Sequence, residues 1–244
     1  MTANPMHQFE VYKIGPEINL GGVNLSYTNS GLFMSISAIL ILTLLFFGTK
    51  KKSLIPSKIQ LITEMSYTFV AKMINDTAGS NAKPFFPFIF TLFMFVLFCN
   101  MVGMLRYSFT VTSHIIVTFV LAAFVFIGVT IIGFIKHGIR YLELFIPKGV
   151  PILLLPLIVV IELISYLSRP VSLSVRLFAN MMAGHTMLKV FGGFVISLGL
   201  LGGWLPLGFS VALTGLEILV AFLQAYVFAI LTCIYLNDAL NLHH

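Results

Sequence analysis

Five polar side chains, Glu162, Arg169, Arg176, Asn180 and His185, stand inside a stretch that is otherwise long and apolar. Glu162, Arg169 and Arg176 recur at steps of seven. Ser165 and Ser172 follow the first two by three residues, and Asn180 follows Arg176 by four. At about 3.6 residues per turn these positions share one helical face. The opposite positions, Leu163, Leu167, Val171, Val175, Leu177 and Phe178, are expected to face lipid. Pro170 predicts a kink or local re-pairing of the backbone. A central Arg or Asp costs about 2.5 to 3.5 kcal/mol to insert into a bilayer, so such residues ordinarily face protein or water and mark ion pathways. The stripe is therefore expected to turn into an assembly.

A second apolar stretch carries Glu217 and, seven residues on, Gln224, with Thr214 and Ala221 filling the same face. Gly192, Gly193, Gly202, Gly203 and Pro206 predict a tight turn between the two stretches. That turn would bring His185 and Glu217 to similar depth. A carboxylate beside an imidazole suits proton relay, because His titrates near neutrality and desolvation moves a carboxylate toward it. The alternative is a purely structural His–Glu hydrogen bond. For Arg176 the structural alternative is neutralisation by Glu162 or another buried acid, although Glu162 lies 14 residues away on the same helix, too far to touch it.

The elements that must position these groups follow from composition. The 244 residues are 59% hydrophobic and 9% charged, with mean hydropathy +1.03, against about 25% charged in soluble domains. This excludes a soluble catalytic domain and predicts one membrane-embedded unit. A crossing helix needs about 20 apolar residues, and five runs qualify: Leu32 to Gly48, Phe85 to Leu105, His114 to Ile135, Val150 to Phe194, and Leu205 to Leu236. The fold expected is an all-α membrane protein. Between the first two runs, Ser53 to Ala78 mixes apolar residues with Lys58, Glu64, Lys72 and Asp76, the pattern of an interfacial or re-entrant helix.

Basic residues favour the cytoplasmic or matrix side. Lys50, Lys51, Lys52, Lys58, Lys72 and Lys83 follow the first run, and Lys136, Arg140 and Lys148 the third; Lys13 and Arg106 fall on the other side. Five crossings then put the N-terminus outside and the C-terminus inside. The start of the chain lacks the basic, then apolar, pattern of a cleaved signal, so the mature chain is expected to begin near Met1. The net charge of +6 is spread between apolar runs, not massed as a nucleic-acid surface. Cys99 and Cys233 read as small core hydrophobes. No repeat and no phosphate-binding loop is present, so any nucleotide chemistry would belong to another subunit.

Three blocks carry a resemblance. PVSLSVRLFANMMAGHTMLK from Pro170 to Lys189, LEILVAFLQAYVFAILTCIYL from Leu216 to Leu236 and NMVGMLRYSFTVTSH from Asn100 to His114 resemble the a subunit of rotary ATP synthases, of the alphaproteobacterial and mitochondrial type. The resemblance implies a non-catalytic proton-channel subunit, without cofactor or metal, whose partners are the c-ring, peripheral-stalk b subunits and lipid. It assigns Arg176 to face the c-ring carboxylate and to separate two aqueous half-channels. His185, Glu217, Asn180 and Gln224 would belong to the outer half-channel and the surroundings of Arg176, and Glu162 to the inner one. Ser165, Arg169 and Ser172 would support the stripe. Many bacterial members exchange Glu and His between the positions of His185 and Glu217, which favours a joint relay role. Arg106 stands where the family block usually has Pro. The family also implies two long, steeply tilted C-terminal helices that face the c-ring.

The expected organisation is a single domain over 1–244, with an outer N-terminal segment (1–30), peripheral helices (31–149) and proton-channel helices (150–244). The expected location is the bacterial inner membrane, with the mitochondrial inner membrane as the alternative. Two other classes compete. A self-contained transporter usually shows inverted repeats with broken helices in both halves, whereas the polar chemistry here is confined to the C-terminal half. A haem-bearing anchor would need axial histidines on facing spans, for which His114 and His185 are the candidates at membrane depth.

Overall fold

A hydrocarbon layer offers no water to backbone groups, so an apolar chain must close its hydrogen bonds within each segment, and helices do so. The computed structural model describes residues 10–14, 19–20, 23–24, 26–50, 55–105, 109–145 and 154–241. The expectations placed on Lys51, Lys52, Arg106 and Lys148 lie outside the described residues. The described chain is all-α apart from a short antiparallel pairing of β1 (Asn19–Leu20) with β2 (Val23–Asn24) near its N-terminus. Six helices follow: α1 (Asn29–Lys50), α2 (Lys58–Ala78), α3 (Phe86–Gly103), α4 (Ile115–His137), α5 (Leu155–Gly202) and α6 (Trp204–Leu240).

Five of the helical segments are long and apolar enough to cross a membrane, and α2 is the exception. The amphipathic α2 starts at Ser57, whose hydroxyl accepts from the amide of Gln60, satisfying a donor that the first helical turn leaves free. One side of α2 buries Val70, Met73, Ile74 and Ala78 against the bundle, while Ile59, Ile62 and Met65 stay exposed. It packs on α1, α3 and α6.

The centre of the bundle is α6, which touches α2, α3, α4 and α5. Its alanines 221, 225 and 229 are fully buried. Small residues at such steps let neighbouring helices approach, which matters where lipid supplies no hydrophobic drive for helix association. Around them pack Phe93 of α3, Val125 of α4, Leu173 and Leu177 of α5, and Phe228 of α6.

The lengths of α5 and α6, 48 and 37 residues, correspond to about 72 and 55 Å at a rise of about 1.5 Å per residue. Both exceed a hydrocarbon core of about 30 Å, an excess that a membrane accommodates by tilt. Helical torsions run through Pro170. The departure from them falls at Gly199, with φ 61° and ψ −158°, a backbone conformation that essentially only Gly adopts. The predicted turn is thereby corrected. Gly192 and Gly193 are helical, and the reversal occupies Gly199 to Gly203. Pro206 then sits in the first turn of α6, where a missing N–H costs nothing.

Candidate functional site

The reversal at Gly199 sends α6 back along α5, and three side-chain pairs record the antiparallel register: His185 with Glu217, Asn180 with Gln224, and Arg169 with Asp238. In each pair the α5 residue number falls as the α6 number rises. Sixteen residues separate Arg169 from His185, about 24 Å along α5, so the first and last pairs mark opposite ends of the bundle.

At one end, His185 Nδ1 lies 3.2 Å from Glu217 Oε1, with both side chains under a tenth exposed. His185 Nε2 lies 3.0 Å from the hydroxyl of Thr110, in the loop between α3 and α4. The two helices can approach this closely because residue 184 is Gly. A Cβ built there would come 2.9 Å from Glu217 Oε1. Gly184→Ala is therefore expected to push the carboxylate off the imidazole. A structure of the variant checks this: the pair should stand clearly further apart than the present 3.2 Å, and an unchanged contact would mean that the pair tolerates the added methyl.

Gln224, buried two turns further along α6, accepts from the Asn180 amide at 2.9 Å. Asn100 of α3, fully buried, donates to the carbonyl of Ala221 at 3.2 Å. Asn100 Oδ1 and Gln224 Nε2 are buried without a hydrogen-bond partner, and so is Glu217 Oε1, whose 3.2 Å approach to His185 Nδ1 is a close ion-pair distance without hydrogen-bond alignment. Unpaired polar atoms are costly at low dielectric, and in a polar, roomy site they are sockets that water would fill. Asn100 and Thr110 were not singled out by sequence reasoning. A polar amide within an apolar run was the available signal for Asn100; Thr110 carried none.

At the other end, Arg169 and Asp238 form an ion pair of 3.2 Å, and the guanidinium also lies over the rings of Tyr166 and Tyr235, at 5.4 and 5.0 Å. Tyr166 joins α5 to α4 and to the turn beyond it through hydroxyl contacts with Thr130 at 2.6 Å and Tyr141 at 3.0 Å. The lysine-bearing end of α4 closes onto α6, with Lys136 donating to the carbonyl of Leu240. Arg169 thus fastens helices together. Asp238→Asn should destabilise this end by about 1 kcal/mol, as expected for a half-exposed pair, while Arg169→Ala, which also loses both ring contacts, should cost more. Thermal unfolding of the two variants checks the order.

Arg176 differs in every respect. Its side chain is exposed, and among the described residues it forms no hydrogen bond or ion pair. Glu162, half-buried, is likewise without a partner among them. Ser165, Ser172 and Asn180 share the exposed face with Arg176. The same face holds the exposed small residues Ser168, Ala179 and Ala183, which sequence reasoning passed over although they recur at helical steps of three and four. Around Arg176 the stripe thus points away from the chain's own bundle, whereas its members Arg169, Asn180 and His185 reach α6.

The inner face of α5 is set by Pro170, Leu173, Ser174, Leu177, Met181 and His185, all buried. This corrects the expectation for Leu177, which faces the core and not lipid; it is fully buried. Leu163, Leu167, Val171 and Val175 are exposed, as expected. His185 Nε2 meets the Thr110 hydroxyl and Nδ1 faces Glu217 Oε1, so the chain's own groups stand at both ring nitrogens, against a haem-ligand reading.

Five crossing helices, with an acid–imidazole pair at one end and an unneutralised cation on the outer face of the longest, define a multi-pass helical membrane protein with a built polar path. The profile of the family described as ATP synthase A chain matches residues 31–237. Over all 244 residues, and over the whole of the relative, the chain is 77% identical to "ATP synthase subunit a" of Pelagibacter ubique (strain HTCC1062). It is 58% identical to the protein of the same name from Chelativorans sp. (strain BNC1), with both chains fully covered. It is 57% identical to that of Mesorhizobium japonicum, covering 99% of this chain and 98% of the relative. The chain belongs to the ATP synthase A chain family.

Proposed function

We propose that this chain is the proton-conducting, non-catalytic subunit of a rotary ATP synthase, with the Arg176 face of α5 docked on the c-ring. The observation that carries the reading is the exposed, unpaired guanidinium midway along α5. A charge at membrane depth costs several kcal/mol unless it meets an acid or water. Arg169, seven residues away, is neutralised by Asp238, whereas nothing described in this chain neutralises Arg176. In this reading the acid comes from another chain. The exposed Ser165, Ser168, Ser172, Ala179 and Ala183 around it suit close approach of a partner helix.

In this reading a proton from the outer side reaches the His185–Glu217 pair and passes along Asn180 and Gln224 to a carboxylate of the ring. The ring turns, and after nearly a full revolution the proton leaves inward past Glu162. Arg176 holds the deprotonated ring carboxylate in passing and keeps the two half-channels apart. Arg suits the post because it stays charged when partly desolvated, while a buried Lys can lose its proton. Each proton crossing 100 mV releases about 2.3 kcal/mol, so several must be coupled to each ATP made in other subunits. The basic ends of α1 and α4, at Lys50 and Lys136, support an inward-facing C-terminus, in an energy-coupling inner membrane, with peripheral-stalk b subunits as the other partners.

Cross-linking in native membranes tests the docking. Cysteines introduced at Ser172 and Ala179 are expected to cross-link to cysteines in the c subunit, and cysteines at Val120 and Phe124, exposed on α4, are not. Cross-links from α4 with none from α5 would refute the docking.

A further inference from the structure

The contacts of Thr110 reach beyond packing. Its side chain is fully buried, its hydroxyl donates to the carbonyl of Gly103 at 3.2 Å, and the same oxygen lies 3.0 Å from His185 Nε2. Gly103 is the last residue of α3, so the Thr110 hydroxyl meets the carbonyl at the end of that helix. The loop itself is held by Ser113, whose amide and hydroxyl both donate to the carbonyl of Thr110, at 3.2 and 2.6 Å.

A hydroxyl has one proton to give. With that proton committed to Gly103, the Thr110 oxygen can only accept from His185, which places a hydrogen on Nε2 and leaves Nδ1 for Glu217. From this geometry we infer that Thr110 is a positioning residue that fixes the ring-proton arrangement of His185, so that the His185–Glu217 pair takes up and releases one proton between Nδ1 and the carboxyl. The inference rests on the relay role given to that pair above.

The proton count shows what the arrangement does. In the loaded pair one proton lies between Nδ1 and Oε1, either as carboxyl with neutral imidazole or as carboxylate with imidazolium. In the empty pair the Nδ1 lone pair faces a carboxylate, an unfavourable contact that draws the next proton in. The empty pair could relax by moving the ring hydrogen from Nε2 to Nδ1, but either the bond to Thr110 would be lost or the Thr110 hydroxyl would have to give up its bond to the Gly103 carbonyl. Thr110 thereby holds the empty pair ready to reload. Around His185 the titratable groups among the described residues are Glu217 on α6, Lys189 four residues on along α5, and His114 in the loop with Thr110, its ring stacked 4.8 Å from that of Phe109.

The test is the pH profile of proton-driven ATP synthesis in vesicles of the complete complex carrying Thr110→Val or Thr110→Ser. The Val side chain keeps the shape and removes the acceptor, which lets the empty pair relax. Its alkaline limb is expected to move to lower pH by about one unit, the scale of one hydrogen bond, and Thr110→Ser is expected to restore the native limb. A uniform loss at every pH, no change at all, or a Ser variant that behaves like Val overturns the inference. Nitrogen-15 spectra of the unmutated, histidine-labelled complex, with His185 assigned through His185→Gln, give a result independent of whether any Thr110 variant assembles: neutral His185 should carry its hydrogen on Nε2, and finding it on Nδ1 overturns the inference. Glu217→Gln separates the two levels. Full synthesis in that variant would overturn the relay reading itself, whereas lost synthesis with an unshifted Thr110→Val profile overturns only the role of Thr110.

Discussion

Replacing Arg176 by Ala is expected to abolish proton-driven ATP synthesis, by at least about 100-fold, while membranes carrying the variant become passively leaky to protons through the membrane sector. The physical reason is that, in the proposed reading, one cation performs two tasks. It attracts the deprotonated ring carboxylate, and its fixed charge raises the cost of a proton passing directly between the half-channels, in a low-dielectric setting where such interactions are strong. Alanine removes both. Arg176→Lys should retain part of the barrier and little of the synthesis, because an ammonium is a point charge that can shed its proton when desolvated, whereas the planar guanidinium stays charged and can engage a carboxylate with two donors. Rates of ATP synthesis and of proton-gradient decay, measured in the same vesicles, separate the tasks. Normal coupled synthesis in Arg176→Ala would end the barrier role.

The second large effect concerns the acid–imidazole pair. Glu217→His alone and His185→Glu alone should each lower proton-driven synthesis about 100-fold, the scale on which positioned proton-transfer groups act. The double exchange should recover at least about 10-fold of that loss. The 3.2 Å contact supports reading the pair as one unit, and the missing Cβ at Gly184 lets the two helices approach closely at this level. Residues acting as a unit lose function together and non-additively. A double variant as inactive as the worse single one would show that each side chain has a separate task, tied to its own helix.

Much of this was legible from composition and spacing. Five apolar runs foretold five crossing segments, and steps of seven placed Arg169, Arg176 and Glu162 on a common face. What spacing could not supply is the difference between Arg169 and Arg176. They are chemically identical, two turns apart on one stripe, and they part ways only because Asp238, 69 residues later, reaches the first and not the second. Nor could periodicity tell lipid from protein core. Leu177 and Val175 flank Arg176 about 100° to either side of the helix and are both apolar, yet one packs against α6 and its neighbours and the other stays exposed. Inside a membrane both surroundings are apolar, so the sorting comes from shape and from small residues such as Ala221 and Ala225. The glycine-rich segment was recognisable as a reversal, but the position of the break was set by the backbone torsion available at Gly199, since Gly192 and Gly193 are equally free to remain helical and do. Only the packing of α3 and its loop on α5 and α6 brings Thr110 to His185 and Asn100 to the Ala221 carbonyl, far apart in the sequence.

The most direct measurement is a structure of the complete complex, detailed enough to place the side chains around Arg176. The account predicts a carboxylate from a ring subunit within about 4 Å of the Arg176 guanidinium, with Arg169 still held by Asp238. Arg176 paired with an acid of its own chain, Glu162 included, or turned to lipid with the ring packed elsewhere, would contradict it.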